Sequence, residues 1–148
     1  MYAFVDRPVG QLPAGSALLL AAMRRWNAAH ASGDCPTTVL VDGFVELGAE
    51  DALPSFNMAM MLIAHEARLP MALLGEDDRM IGADEAVLLT MWDDLARGRE
   101  RAARQTLSLF IEPAMADATA RALDDAVGAF TLAGIDLAAP EFREETRR

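Results

Sequence analysis

The stretch SALLLAAMRRWNAAH, residues 16–30, contains the pattern that decides the fold class. Its apolar side chains cluster at the spacing of one face of an α-helix: Leu18, Leu19, Ala22, Met23 and Trp26. Arg24 and Asn27 lie between them and are predicted to face away from the core. Gly33 predicts the end of this helix, because glycine readily adopts the left-handed conformation that terminates helices.

The next segment suits either a helix or a strand. Asp34 and Pro36 predict an N-cap followed by a first-turn proline, with a helix over residues 37–47. The β-branched run Thr38-Val39-Leu40-Val41 also fits a short strand. Met71–Leu74 is a second short apolar segment, predicted to be extended or to form a loop packed under the helices.

Helical spacing continues through the rest of the chain. One helix is predicted from Pro54 to about Arg68, one from a cap at Asp84 to a break or kink at Gly98, one over Arg99–Ile111, and one from Glu112-Pro113 to Gly134. The side chains predicted to face the core are Leu40, Phe44, Leu47, Phe56, Met60, Ile63, Leu88, Met91, Trp92, Leu95, Ala103, Leu107, Phe110, Met115, Ala118, Ala122, Ala126 and Phe130.

These segments predict an all-α fold of five to six helices in a single bundle or irregular helical array. One short extended segment is allowed, near residues 38–41 or 71–74. Residues 1–137 are predicted to form a single helical domain, because 148 residues is near the commonest domain size and no linker divides the chain. Residues 138–148 are predicted to be a polar C-terminal tail.

Charge and hydropathy restrict the partners. The net charge is −10, which repels nucleic-acid phosphates and anionic membrane surfaces. The longest apolar runs, such as Met58–Ala64, are far shorter than the roughly 20 residues of a membrane span. The single cysteine, Cys35, and the absence of a signal-peptide pattern predict a cytoplasmic protein. Because 53% of the residues are apolar, we expect a protein partner or self-association as a homodimer.

Metal and nucleophile chemistry find little support in the sequence. His65-Glu66 begins like a zinc-protease motif, but Leu69 occupies the position of the second histidine. His30 lies in a different predicted helix, and two histidines with one cysteine cannot build a closed structural zinc site without recruiting carboxylates. Asp34 should raise the pKa of the Cys35 thiol and so disfavour a reactive thiolate. We therefore predict no catalytic residues, no metal and no cofactor.

Paired carboxylates are frequent but are predicted to be solvated. They lie at turns, helix starts and exposed helix faces: Glu76-Asp77-Asp78, Asp84-Glu85, Asp93-Asp94 and Asp124-Asp125. Two pairs have the i, i+4 spacing of surface ion pairs, namely Asp93 with Arg97 and Glu100 with Arg104. Such pairs explain the acidic residues without an acid–base catalytic site.

Two functions are open. The favoured one is a non-enzymatic protein-interaction or regulatory domain acting through apolar helix surfaces, since methionine suits adaptable binding surfaces. Its predicted interaction surface comprises Met58, Met61, Arg97, Arg101 and Arg104. The alternative is a small enzyme or ligand carrier with a Trp/Met-lined helical pocket, whose predicted residues are His65, Glu66, Trp26 and Trp92.

About half of the chain resembles an uncharacterised family of small helical alphaproteobacterial proteins. The resemblance lies in Pro54–Ala67, in Leu69–Leu73, and in Met80–Leu89 with its Asp-Glu-Ala-x-Leu-Leu helix start. Members of that family often have a cysteine-rich stretch before this helix, whereas Gly75–Arg79 contains no cysteine. The resemblance therefore implies a helical fold but no metal or redox role.

Overall fold

The computed structural model describes residues 4–138, and this part of the chain is all-α. Its six helices are α1 (Ala14–Ala31), α2 (Pro36–Glu46), α3 (Leu53–Glu66), α4 (Ala83–Ala96), α5 (Glu100–Phe110) and α6 (Pro113–Leu132). Short 3-10 turns lie at Val9–Gln11 and Glu50–Ala52. Between residues 4 and 138 the only β-type pairings are isolated bridges. The predicted all-α array is confirmed, while residues 139–148 of the predicted tail lie outside the described range.

Helix α6 lies at the centre of the array and packs against α3, α4 and α5, while α1, α2 and α3 pack against one another. Four aromatic rings join these layers in the core, with Phe56 contacting Phe44, Trp92 and Phe130 at centroid distances of 5.6, 6.0 and 6.3 Å. Such pairs contribute about 0.5–1.5 kcal/mol each beyond the area that they bury. No helix within the described range has the length and apolar content that a membrane crossing requires.

Residues 38–41 are helical, so the strand alternative for this segment is wrong. Leu40 and Phe44 are both buried, and a helix places them on the same side of α2. Packing of this face outweighs the β-propensity of the neighbouring residues. Leu47, predicted to join that face, instead follows the helix and is 46% exposed. The second candidate, Met71–Leu74, forms neither helix nor strand.

Most predicted core positions are buried, but several details of the helices differ. Ala118 is exposed, and Phe110 and Met115 are half-buried, whereas Thr119 and Leu123 of α6 are buried instead. Asp34 is not the N-cap of α2, since that position belongs to Cys35. Gly98 has a φ of 78° and separates α4 from α5, as predicted.

Candidate functional site

Arg24 on α1 and Glu85 on α4 form a buried ion pair that the sequence prediction missed. Arg24 is 3% exposed and Glu85 is fully buried. The Nε and Nη2 groups of Arg24 donate to Oε2 and Oε1 of Glu85 at 2.7 and 2.8 Å. The predictions that Arg24 faces away from the core and that Glu85 is solvated are therefore both wrong. Asn27, also predicted to face away, is half-buried.

The pair also binds the backbone of the α3–α4 connection. Arg24 donates from Nη1 to the carbonyl of Asp78 and from Nη2 to that of Met80, both at 2.8 Å. Glu85 accepts the N–H groups of Leu74 and Gly82, both at 2.9 Å. The charged groups of Arg24 and Glu85 are all hydrogen-bonded although both side chains are buried. The cluster therefore stabilises the packing of α1, α4 and the α3–α4 connection, and it has no unpaired group for a reaction.

The same contacts decide how α4 begins. The N-cap is Gly82, whose N–H is bound by the Glu85 side chain, and the carboxylate of Asp84 instead accepts the N–H of Ala72 at 2.7 Å. The predicted Asp84 cap is therefore wrong. Burial alone would raise the pKa of Glu85, but the hydrogen bonds from Arg24, Gly82 and Leu74 outweigh it and hold that pKa below its usual value of 4.5.

A second cluster joins the two histidines of the chain. The rings of Trp26 and His30, one turn apart on α1, stack with centroids 4.8 Å apart and planes at 24°. The His30 and His65 rings lie 5.5 Å apart with planes at 84°. Trp26 donates from Nε1 to Oδ1 of Asn57 on α3 at 2.8 Å. The structure thus brings together two histidines that sequence spacing placed in unrelated helices.

This cluster lies at the C-terminal ends of α1 and α3. His30 belongs to the last turn of α1, and His65 belongs to the last turn of α3. His30 is half-buried against Trp26, whereas His65 is exposed. The partial negative charges of both helix ends are therefore close to the imidazoles.

The solvent-exposed positions of α2 and α3, two helices that pack against each other, are apolar and acidic, and we call them together the acidic apolar face. It comprises the following side chains: Val41, Asp42, Val45 and Glu46 of α2, and Met58 and Met61 of α3. Val45 is 48% exposed and Met58 is 53% exposed, whereas Met61 is partly covered by the core. No arginine or lysine occurs between residues 26 and 67, which contain six acidic residues.

The three arginines of the predicted interaction surface lie elsewhere and do not share one helix. Arg97 follows α4 and binds Asp93 at 2.9 Å, as its i, i+4 spacing predicted. Arg101 and Arg104 lie on α5 beyond the break at Gly98. Arg104 forms its ion pair with Asp117 of α6, rather than the predicted one with Glu100.

Cys35 is exposed at the start of α2. Its Sγ lies 3.2 Å from the Thr37 hydroxyl. Hydrogen bonds from the Thr37 side chain, and then from Thr38, lower the pKa of the thiol to about 7. The expectation that Asp34 would raise this pKa is therefore wrong.

The residues of the predicted pocket do not line the cavities seen on α4, α5 and α6. A groove of about 560 Å³ lies between α4 and α5, beside Asp94, Arg99 and Gln105, and a cleft of about 170 Å³ lies between α5 and α6. Trp92 is fully buried, and its indole N–H has no acceptor among residues 4–138. Trp26 is buried too, while His65 is exposed.

The described residues contain no group of three or more histidine, cysteine, aspartate or glutamate side chains arranged to hold a metal ion. The similarity to the alphaproteobacterial family stays a prediction. No protein-family model, no curated protein and no solved structure matches the chain.

Proposed function

We propose that this protein is a non-enzymatic interaction domain that binds a cationic amphipathic helix of another protein through the acidic apolar face. The observation that supports it most directly is the pattern on the exposed side of α2. Val41 and Val45 are one turn apart there, and Asp42 and Glu46 lie beside them with the same spacing. An apolar row and an acidic row thus run side by side along one solvent-facing surface of α2.

The methionines of α3 extend the apolar part of this surface. Met58 and Met61 are neighbours on one side of α3, and α3 packs against α2. Methionine has three rotatable bonds and a polarizable sulfur, so it adapts to partner side chains of different shapes. An amphipathic helix places its apolar anchors at intervals of three and four residues, which suits a surface of this kind.

Charge favours a cationic partner over a second copy of the chain. The stretch from residue 26 to residue 67 has six acids and no arginine or lysine, so its net charge is negative. In a symmetric dimer through this face, the acidic side chains of one copy would face an equally acidic surface of the other, and like charges brought together at an interface cost several kcal/mol. A helix with lysines or arginines beside its apolar stripe instead meets complementary charge.

The test is a titration with a fluorescently labelled synthetic helix that has leucines on one face and lysines on its flanks, with fluorescence anisotropy as the readout. Controls are a scrambled peptide of the same composition and a peptide with glutamate in place of lysine. We expect saturable binding of the first peptide alone, weakening as salt increases because the exposed charges are screened. Equal binding of the scrambled peptide would overturn the proposal.

Matched variants locate the surface. Met58→Ser and Val45→Ser each replace an exposed apolar side chain of the face, and Leu132→Ser replaces one that is 92% exposed at the end of α6. We expect the first two variants to weaken peptide binding and the third to leave it unchanged. Loss of binding in Leu132→Ser alone would place the site elsewhere. Sedimentation analysis of the free protein tests whether a second copy of the chain binds this face instead. A stable dimer of the parent that is absent in Val45→Ser would assign the face to self-association and overturn the proposal.

A further inference from the structure

We propose that His30 and His65 form a two-histidine binding site for a divalent transition-metal ion of the zinc, nickel and copper group. Imidazole nitrogen is a preferred ligand for these ions, and neutral histidine binds them through either ring nitrogen. These are the two histidines of the chain, 35 positions apart, and the fold places their rings side by side.

The separation of the rings fits coordination of one ion. A metal ion about 2.0–2.1 Å from a nitrogen of each ring lies about 3.2 Å from each ring centre. Two imidazoles on one tetrahedral ion then have centres about 5.2 Å apart. The observed distance between the centroids of His30 and His65 is 5.5 Å. The 84° between their planes is equally compatible, because each ring can rotate about its own metal–nitrogen bond.

One side of the site is held in place before an ion arrives. The Trp26 ring stacks on His30, and the Trp26 indole is itself tied to Asn57 of α3 by a 2.8 Å hydrogen bond. Such contacts fix the orientation of a ligand ring and reduce the entropy lost on binding. His65 is exposed and can adjust to the ion.

The local electrostatics favour a cation. Both histidines occupy the last turn of their helices, where the helix dipoles place partial negative charge. No arginine or lysine occurs between residues 26 and 67, and Arg68, three positions after His65, directs its guanidinium to the backbone carbonyls of Ser108 and Ile111. Since no third ligand residue of the described range joins the pair, water completes the coordination. The site is therefore open to solvent on one side.

The experiment is calorimetric titration of the tag-free protein with nickel chloride and zinc chloride, comparing the parent with His30→Gln, His65→Gln and Cys35→Ser. We expect one ion per chain, with affinity reduced by at least about tenfold in each histidine variant, because two linked ligands bind far better than one. Cys35→Ser is the matched control, because it removes a thiol that could bind the ion and lies near His30 in the sequence. The affinity of this variant for the ion should equal that of the parent. Magnesium should give no binding, since it prefers oxygen ligands.

A second readout separates coordination from a folding defect. In the parent protein, zinc should shift the ring NMR signals of both histidines together and saturate at one equivalent. Zinc should also raise the melting temperature of the parent but of neither histidine variant, because an ion that binds only the folded state stabilises it. Movement of one histidine signal alone would overturn the proposal, as would parent-like affinity in either histidine variant.

Discussion

The guanidinium of Arg24 and the carboxylate of Glu85 form two parallel hydrogen bonds, 2.7 and 2.8 Å long, across 61 positions of the sequence. The pair ties α1 to the first turn of α4 and holds the connection between α3 and α4 through its backbone contacts. A buried charge is costly without a partner, so neither residue is tolerated here alone. This relationship explains why α1, whose other buried residues are mostly apolar, contains a buried arginine.

Removing the charge of Glu85 should destabilise the protein strongly. Glu85→Gln keeps the shape of the side chain but leaves the Arg24 guanidinium buried without its counter-charge, at an expected cost of about 3–5 kcal/mol. The measurement is the free energy of unfolding in urea. The control is Asp117→Asn, which removes an exposed ion pair with Arg104 and should cost less than about 1 kcal/mol. Similar losses of unfolding free energy in both variants would contradict the view that burial makes the Arg24–Glu85 pair more important than an exposed ion pair.

Glu85 should also make the free energy of unfolding depend on pH in the acidic range. Its pKa in the folded protein lies below the usual value of 4.5, so folding favours its ionised form. This contribution to the free energy of unfolding is complete above the unfolded pKa and is lost as pH falls from about 4.5 through the folded pKa. The difference in stability between the parent and Glu85→Gln should therefore shrink as pH falls below 4.5 in urea titrations. A constant difference over that range would refute this linkage.

The Cys35 thiol should react unusually well near neutral pH. Its pKa is lowered to about 7, first by the Thr37 side chain, and the thiolate is the nucleophilic form. We expect the rate of alkylation by iodoacetamide to rise with pH and to have its midpoint near that value. Thr37→Val should move the midpoint upward, while Thr131→Val, whose hydroxyl donates to the Val127 carbonyl of α6, should leave it unchanged. An unshifted midpoint in Thr37→Val would exclude the hydroxyl as the cause.

Gly15 should not tolerate even a methyl group. A Cβ added there would lie 1.9 Å from the carbonyl oxygen of Asp136, in the segment that follows α6 and contains the buried Leu137. Gly15→Ala should therefore displace that segment and cost about 1–3 kcal/mol. The matched control is Gly128→Ala on α6, where an added Cβ would meet no atom within 4 Å beyond the local backbone of its own helix, and alanine should stabilise the helix by about 0.5–1 kcal/mol. In thermal unfolding, we expect Gly15→Ala to lower the melting temperature and Gly128→Ala to raise it.

Val45→Ala should make the protein more stable and should weaken its binding of the cationic peptide. Valine is a poorer helix former than alanine, and the Val45 side chain is 48% exposed on α2. Val45→Ala should raise the free energy of unfolding by a few tenths of a kcal/mol, up to about 0.6. The same change removes an apolar contact of the acidic apolar face and should weaken binding of the cationic peptide. A variant that is more stable and binds as tightly as the parent would remove Val45 from the proposed interface.

Local patterns determined the helices because their signals are short in range. Leu19, Met23 and Trp26 are all buried on one side of α1, as their spacing predicted. The break at Gly98 also followed from the residue itself, because glycine adopts a positive φ without steric cost. Residues 38–41 were ambiguous for the converse reason, since β-branched residues suit either structure until packing selects one.

The sequence by itself therefore determined which segments are helical and which of their faces are largely apolar. Only the tertiary structure decided which polar side chains are buried and which partners they contact. Arg24 is buried because Glu85 and two backbone carbonyls reach it, and His30 meets His65 because α1 and α3 pack together. Whether a charge can be buried, or two imidazoles can share a ligand, depends on partners far away in the chain, and helical periodicity contains no information about them.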